Sequence, residues 1–381
     1  MIALIQAGSL YSHEHGGSSK ILRSLLETDH PPVLSINTYF ATIAAPSGTD
    51  EIQIPLRPDF GRLEMTRFNR SLGFLDWLFS AGFEEKVRRV LIEHRIRAIH
   101  LLANSYSVVP VYKAATDLGI PYFVSVHDDL EYASRNHPMM AQMTAFMGRA
   151  WREAKGVFVI SEEMGQEYSR RFGEREYRVV TDGLKCVAEG PQQRPGKSLR
   201  LYFMGLFHNT YAQNLRAVLD ALRIVRSREP DWAIGVTCRC GKIPLTLRES
   251  DVPVEVLLFA PQETLEKDMR SADLLYQPMP FQELASAFSR LSLSTKMITY
   301  LGSGLPIFYH GPRDAAAGQL LIRHQAAVVC DSLDPRAIAD RLMAAIEQRE
   351  SIVNHALSLA RSQFMLADQQ RRFWEPILTA L

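Results

Sequence analysis

The feature that most constrains this chain is a near-regular alternation of short apolar runs with amphipathic stretches. Runs such as IALIQAG (2–8), PVLSINTYF (32–40), AIHLLA (98–103), YFVSVHD (122–128), GVFVIS (156–161) and YRVVTDG (177–183) are separated by segments such as EEKVRRVLIEHRI (84–96) and VYKAATDLG (111–119). Short apolar runs alternating with helical patterns nearly throughout predict βαβ units on a parallel sheet. The pattern stops at CVAEGPQQRPGKS (186–198), which has two prolines, two glycines and no apolar periodicity, and reads as a linker. It restarts with LRLYFMG (199–205), AIGVTCRC (233–240), VEVLLFAP (254–261), ADLLYQP (272–278), LPIFYHG (305–311) and AAVVCD (326–331).

The fold class expected is α/β, with two doubly wound Rossmann-like domains facing a cleft, spanning 1–187 and 198–381. The length of 381 residues suits two such cores better than one. A net charge of +1 gives no electrostatic footprint for nucleic acid. No apolar run approaches the roughly 18 residues of a membrane span, and MIALIQAGSL has no basic n-region, so a cytoplasmic protein is expected. Four cysteines, with one C-x-C at Cys238 and Cys240, lack zinc spacing and read as reduced thiols.

Ligands of doubly wound sheets bind beyond the carboxyl ends of the strands, so the residues after each run are the candidates. After the first run comes His13-Glu14-His15-Gly16-Gly17-Ser18-Ser19, opening the helix KILRSLL. Glycines allow close backbone approach, and a helix N-terminus offers unpaired N–H groups to an anion. A plain strand-to-helix turn also explains it. Ser125-Val126-His127-Asp128-Asp129 ends a strong run. His127 could hydrogen-bond a substrate, and Asp128 or Asp129 could bind sugar hydroxyls or cap a helix. Ser161-Glu162-Glu163 reads as a capped helix start. Gly205 follows the first run of the second half and could admit a diphosphate. In Ser294-Thr295-Lys296 through Gly302-Ser303-Gly304-Leu305-Pro306, Lys296 stands at a helix start. The dipole disfavours a cation there, so a bound phosphate nearby would account for it. A basic and aromatic stretch, with Arg57, Arg62, Arg67 and Arg70 preceding Phe74, Trp77, Leu78 and Phe79, fits either an interfacial helix or a core helix with a solvated rim.

These motifs resemble the bacterial retaining GT-B glycosyltransferases (glycosyltransferase family 4-like, group 1), over nearly the whole chain. The most specific likeness is STKMITYLGSGLPI to the family's P-x-K-x-x-E-Y-x-A-x-G-x-P stretch. The glycine loop, H-D-D, V-I-S-E-E-M and Asp182-Gly183 support it. The resemblance implies a sugar moved, with retention, from a nucleotide-sugar donor held by the second domain to a glycan, glycolipid or small-molecule acceptor on the first, as in polysaccharide biosynthesis. It implies no metal or other cofactor. His127 and Lys296 are the implied catalytic residues. Gly16, Gly17, Gly205, Glu283, Thr295 and Thr299 would contact the donor, and Asp128, Asp129 and His15 the acceptor. FWEPIL would belong to a last helix, about 366–381, crossing back to the first domain. The chain departs from the family at Thr299, where a ribose-binding glutamate is usual, and at Leu206 and Gln213, where the diphosphate-gripping basic pair is usual. A degenerate, catalytically weak partner of an active enzyme is the alternative. Peripheral contact with the inner membrane face is a further expectation.

Overall fold

The computed structural model describes residues 1–11, 17–41, 49–66, 68–192, 196–248, 250–282 and 286–381. The chain forms two compact units, Met1–Gly183 together with Leu366–Leu381, and Leu184–Met365.

The first unit holds β1 (Ile2–Gln6), β2 (Val33–Asn37), β3 (Glu51–Gln53), β4 (Ala98–Leu102), β5 (Tyr122–Val126), β6 (Gly156–Val159) and β7 (Arg178–Val179). They form one sheet in the order β3-β2-β1-β4-β5-β6-β7, with every pairing parallel. β1, β2, β4 and β5 are buried at every position, as strands covered by helices on both faces must be. The order reverses direction at β1, between β2 and β4, so crevices for ligands open at the carboxyl ends of these strands. The closing helix, Leu366–Thr379, buries Phe373, Trp374 and Ile377, and Trp374 Nε1 donates to the Leu25 carbonyl at 2.8 Å.

The second unit holds β8 (Ser198–Met204), β9 (Ala233–Arg239), β10 (Val254–Leu257), β11 (Leu274–Pro278), β12 (Ile307–His310) and β13 (Val328–Cys330). Their order is β10-β9-β8-β11-β12-β13, again all parallel. One core packs Phe203, Leu215, Val218 and Tyr276 on one face. The other packs Tyr202, Leu275, Tyr300 and Tyr309 on the opposite face. The polar stretch after Cys186 is not a free tether: Ala188 N and Gln192 N donate to the carbonyls of Gly302 and Gly304 at 2.8 and 2.9 Å. It is fastened to the second unit because its backbone N–H groups pair with carbonyls of the turn that leads into β12.

All twelve apolar runs lie on strands. β3 is an additional, three-residue edge strand. Two parallel sheets with flanking helices make the α/β class plain.

Candidate functional site

In the second unit the carboxyl end of β8 delivers Gly205, whose φ of +91° puts it in the left-handed region that favours glycine. Its N–H donates to the Arg239 carbonyl at 3.1 Å. A side chain there would meet Lys296 Cε, 3.7 Å from where a Cβ would sit. Lys296 stands in the first turn of the helix Thr295–Leu301. Its ammonium lies 4.2 Å from the centroid of the Phe203 ring and 5.2 Å from that of Tyr211. Burial lowers its pKa to about 7, against a small opposing pull from Cys240. It has no carboxylate partner among the described residues. A nearby anion would favour the charged form of a lysine desolvated in this way. Tyr300 fixes the strand beneath: its hydroxyl accepts from Met204 N at 3.0 Å. Asn214 ties two neighbouring loops, donating to the carbonyls of Met279 and His310 at 2.8 and 3.0 Å.

Thr295 and Thr299 lie on the same helix as Lys296, and Thr299 Oγ1 donates back to the Thr295 carbonyl at 3.4 Å. The structure therefore brings Gly205, Lys296, Thr295 and Thr299 into one region. Gly304, at φ +78°, makes the turn into β12, while Gly302 is helical and admits Leu184 instead. Glu283 lies outside the described residues.

In the first unit the loop after β1 is pinned from two sides. Glu51 accepts from Ser9 Oγ at 2.6 Å, Leu10 N at 2.8 Å and Ser35 Oγ at 2.8 Å. Ser19 Oγ donates to the Ser9 carbonyl, and Arg23 to the Leu10 carbonyl. Gly17 opens the helix Gly17–Leu25 and is exposed. His13, His15 and Gly16 lie outside the described residues.

His127 follows β5 and is 7% exposed. Its Nδ1 has no hydrogen-bond partner among the described residues, and burial lowers its pKa to about 4. At neutral pH it is an uncharged imidazole, suited to a hydrogen bond rather than to neutralising a developing charge. Beneath it His100 is fully buried, its Nε2 2.7 Å from Ser125 Oγ. Burial and the nearby His127 lower its pKa to about 3. Asp128 is exposed. Asp129 is 2% exposed, and its Oδ1 accepts from Tyr168 Oη and Arg171 Nη1, both at 3.0 Å. It stands at the start of the helix Leu130–Ala133 without a side-chain capping bond. The carboxylate is thus committed inside the unit, anchoring the turn that carries His127. Ser161, by contrast, caps its helix as its sequence suggests, accepting from Met164 N at 3.0 Å.

A concavity the motifs did not indicate opens at the carboxyl ends of β1, β2 and β4, with a volume of about 620 Å³. Its walls are hydroxyls and amides (Thr38, Asn104, Ser105, Ser107) and aromatic rings (Tyr39, Phe40, Tyr106). Arg57 is buried in one wall, bonded to Glu64 and, at 2.7 Å, to Asp76. Asp76 also meets His137 Nε2 at 2.9 Å, and the His137 ring stacks on Tyr106 at 5.5 Å. The sequence signal was the run of arginines alone, since the walls come from segments as far apart as Ala7 and Met143.

Whole-chain similarity to solved structures defines the class of fold. An alpha,alpha-trehalose-phosphate synthase (UDP-forming) from Burkholderia vietnamiensis is 12% identical, with a TM-score of 0.65 over 99% of this chain and 97% of that one. MurG from Acinetobacter baumannii is 14% identical, TM-score 0.59, over 99% of both. An E. coli structure described as trehalose-6-phosphate bound with UDP-2-fluoro glucose is 10% identical, TM-score 0.67, over 98% of both. At such identities the likeness is one of fold: two Rossmann-like domains, the GT-B architecture. Residues 39–183 match the family described as the glycosyl transferase 4-like domain. No protein of curated function matches the sequence. Domain match and fold together support a glycosyltransferase.

Proposed function

We propose that the chain transfers a sugar, with retention, from a nucleotide-sugar donor held by the second unit to an acceptor held by the first. The observation that carries this reading is the Lys296 ammonium, unpaired by any carboxylate among the described residues, beside the left-handed Gly205 at the end of β8. When the bond from the anomeric carbon to the diphosphate oxygen breaks, the electron pair leaves with the diphosphate. A preorganised cation lowers that barrier. The acceptor hydroxyl passes its proton to an oxygen of the departing diphosphate as its own oxygen bonds to the same carbon. His127, uncharged at neutral pH, is assigned a hydrogen bond to a sugar hydroxyl. Gly17 and Gly205 are assigned close approach of backbone to donor, and Thr295 and Thr299 donor contacts. Asp128, exposed beside His127, is assigned to the acceptor. The reading invokes no metal.

A second reading, a weakly active partner of another enzyme, draws on Thr299, whose hydroxyl is turned back to its own helix, and on Leu206, 64% exposed where a basic residue would grip phosphate. Calorimetry with UDP-glucose and a panel of other nucleotide sugars separates the two. Micromolar binding of one donor, with nucleotide released when an acceptor is added, supports transfer. Binding of none favours the partner reading.

A further inference from the structure

Among the described residues no helix is long and apolar enough to cross a membrane. The helix Asn69–Glu93 nevertheless leaves Phe74, Trp77 and Leu78 exposed by 57%, 53% and 62%. These are the residues expected either at an interface or in a core, and they are not in a core. At 100° per residue, positions 74, 77 and 78 share one face. Arg70, Gly73 and Trp77 are stacked at i, i+3 and i+7, and Arg70 and Gly73 also line the 620 Å³ concavity. The apolar stripe is therefore continuous with the rim of a pocket walled by hydroxyls, amides and aromatic rings. The charges sort in a telling way. Inside the wall Arg57 is matched by Glu64 and Asp76, and Asp76 by His137. At the rim Arg70 is exposed, as is Arg62 in the 3-10 turn Gly61–Met65 ahead of the helix, and neither has a partner among the described residues. Asp59 is engaged locally, accepting from Gly61 N at 2.7 Å. Glu84 and Glu85, further along the helix, pair with Arg88.

We propose that this pocket takes the polar headgroup of an anionic membrane lipid, with its phosphate at Arg70 and its hydroxyls among the pocket's polar side chains. The hydrocarbon lies against Phe74, Trp77 and Leu78. The inference rests on the glycosyl-transfer reading in making this lipid the acceptor, so that the enzyme would build a glycolipid. An amphipathic face with unpaired cations at its edge suits an anionic bilayer surface, where apolar burial and attraction to phosphate add. The pocket's size also matches a small hydroxylated headgroup.

The test uses the full chain with vesicles of phosphatidylcholine alone or mixed with phosphatidylglycerol, whose headgroup joins a phosphate to hydroxyls. Co-sedimentation should show a clear preference for the mixed vesicles. Tryptophan emission should shift to the blue on binding, and the Trp77→Phe variant should lose that shift, since Trp151 and Trp374 are already buried and Trp232 packs against the core of the second unit. Changing Phe74, Trp77 and Leu78 together to serine should weaken partition by roughly a hundredfold or more, since the apolar area of three side chains is no longer buried. Arg70→Gln should abolish the preference for phosphatidylglycerol and leave a weak residual affinity. Equal binding to both vesicle types, or full binding by the triple variant, would overturn the proposal. So would a dimer in size-exclusion chromatography that the triple variant abolishes, because the stripe would then be a contact between copies. UDP-glucose calorimetry without vesicles reads the donor site alone, so failure of the lipid inference and failure of the transfer reading give different results.

Discussion

Replacing Lys296 by methionine keeps the length and apolar stem of the side chain and removes its charge. The structure sets the size of the effect and its dependence on pH. With a pKa of about 7, roughly half of the lysines carry the proton in neutral solution. Recruiting the charged form then costs about 0.4 kcal/mol at pH 7 and about 2.7 kcal/mol two units higher. Facing a phosphate oxygen at about 4 Å in an effective dielectric of about 20, a full charge is worth about 4 kcal/mol. The leaving diphosphate gains only part of a charge at the transition state, so about 2–3 kcal/mol, or on the order of 10² in rate, is at stake. The assay is kcat/KM against pH, which reports the free enzyme's ionisations. The native profile should fall as pH rises through about 7, while Lys296→Met should lack this limb. The ratio between the two should shrink from about 10² below neutrality towards one near pH 9. Native kcat/KM in the variant below pH 7, or a native profile with no alkaline fall, would refute the assignment of the leaving-group charge to Lys296.

The same substitution has a stability readout: between about 7 and 10.5 the unfolded lysine holds its proton and the folded one does not, so native stability rises with pH across that window. Lys296→Met should therefore raise Tm at neutral pH, with a gain that shrinks towards pH 10. His127→Ala should lower kcat more than it changes the affinity for free nucleotide by calorimetry. A large loss of nucleotide affinity would place this histidine at the donor instead. Asp129→Ala leaves the buried Tyr168 hydroxyl without its acceptor and removes one of three carboxylates around Arg171, which keeps Glu167 and Glu131, and should cost about 1–2 kcal/mol in denaturant unfolding, with Asp129→Asn milder because it can still accept from Tyr168. An unchanged unfolding midpoint would leave the carboxylate available for the acceptor.

Strands were legible because burial on both faces forces a continuous apolar run, as in β1, β5 and β11. β3 was not, since three half-buried residues, Glu51–Gln53, carry no run to see. Lys296 could be singled out from its place at a helix start, but its setting could not, because Phe203 and Tyr211 lie more than eighty positions earlier. The fate of Asp129 was hidden for the same reason: a carboxylate after a strand looks alike whether it faces a sugar or an arginine forty residues on. The pocket was the least legible feature. Its walls are assembled by the crossover between β2 and β4, and only the topology brings Thr38 near Ser107, whose oxygens lie 2.7 Å apart.

The insertion of one unit within the other bears on how the chain is made. Gly183 and Leu366 lie side by side, close enough that a Cβ on the glycine would be 2.6 Å from Leu366 Cα, and Leu184 N donates to the Phe364 carbonyl at 2.8 Å. The inserted unit therefore leaves and returns at neighbouring points, and can be complete while the outer one is not. During translation the outer unit waits, with the groove for Phe373, Trp374 and Ile377 open, until the ribosome has finished the 182 intervening residues Leu184–Met365. The apolar surface that Phe373, Trp374 and Ile377 cover stays exposed to water for all that time. The insertion also makes a stop just after Met365 a lesion of the first unit, although it falls more than 180 positions after Gly183.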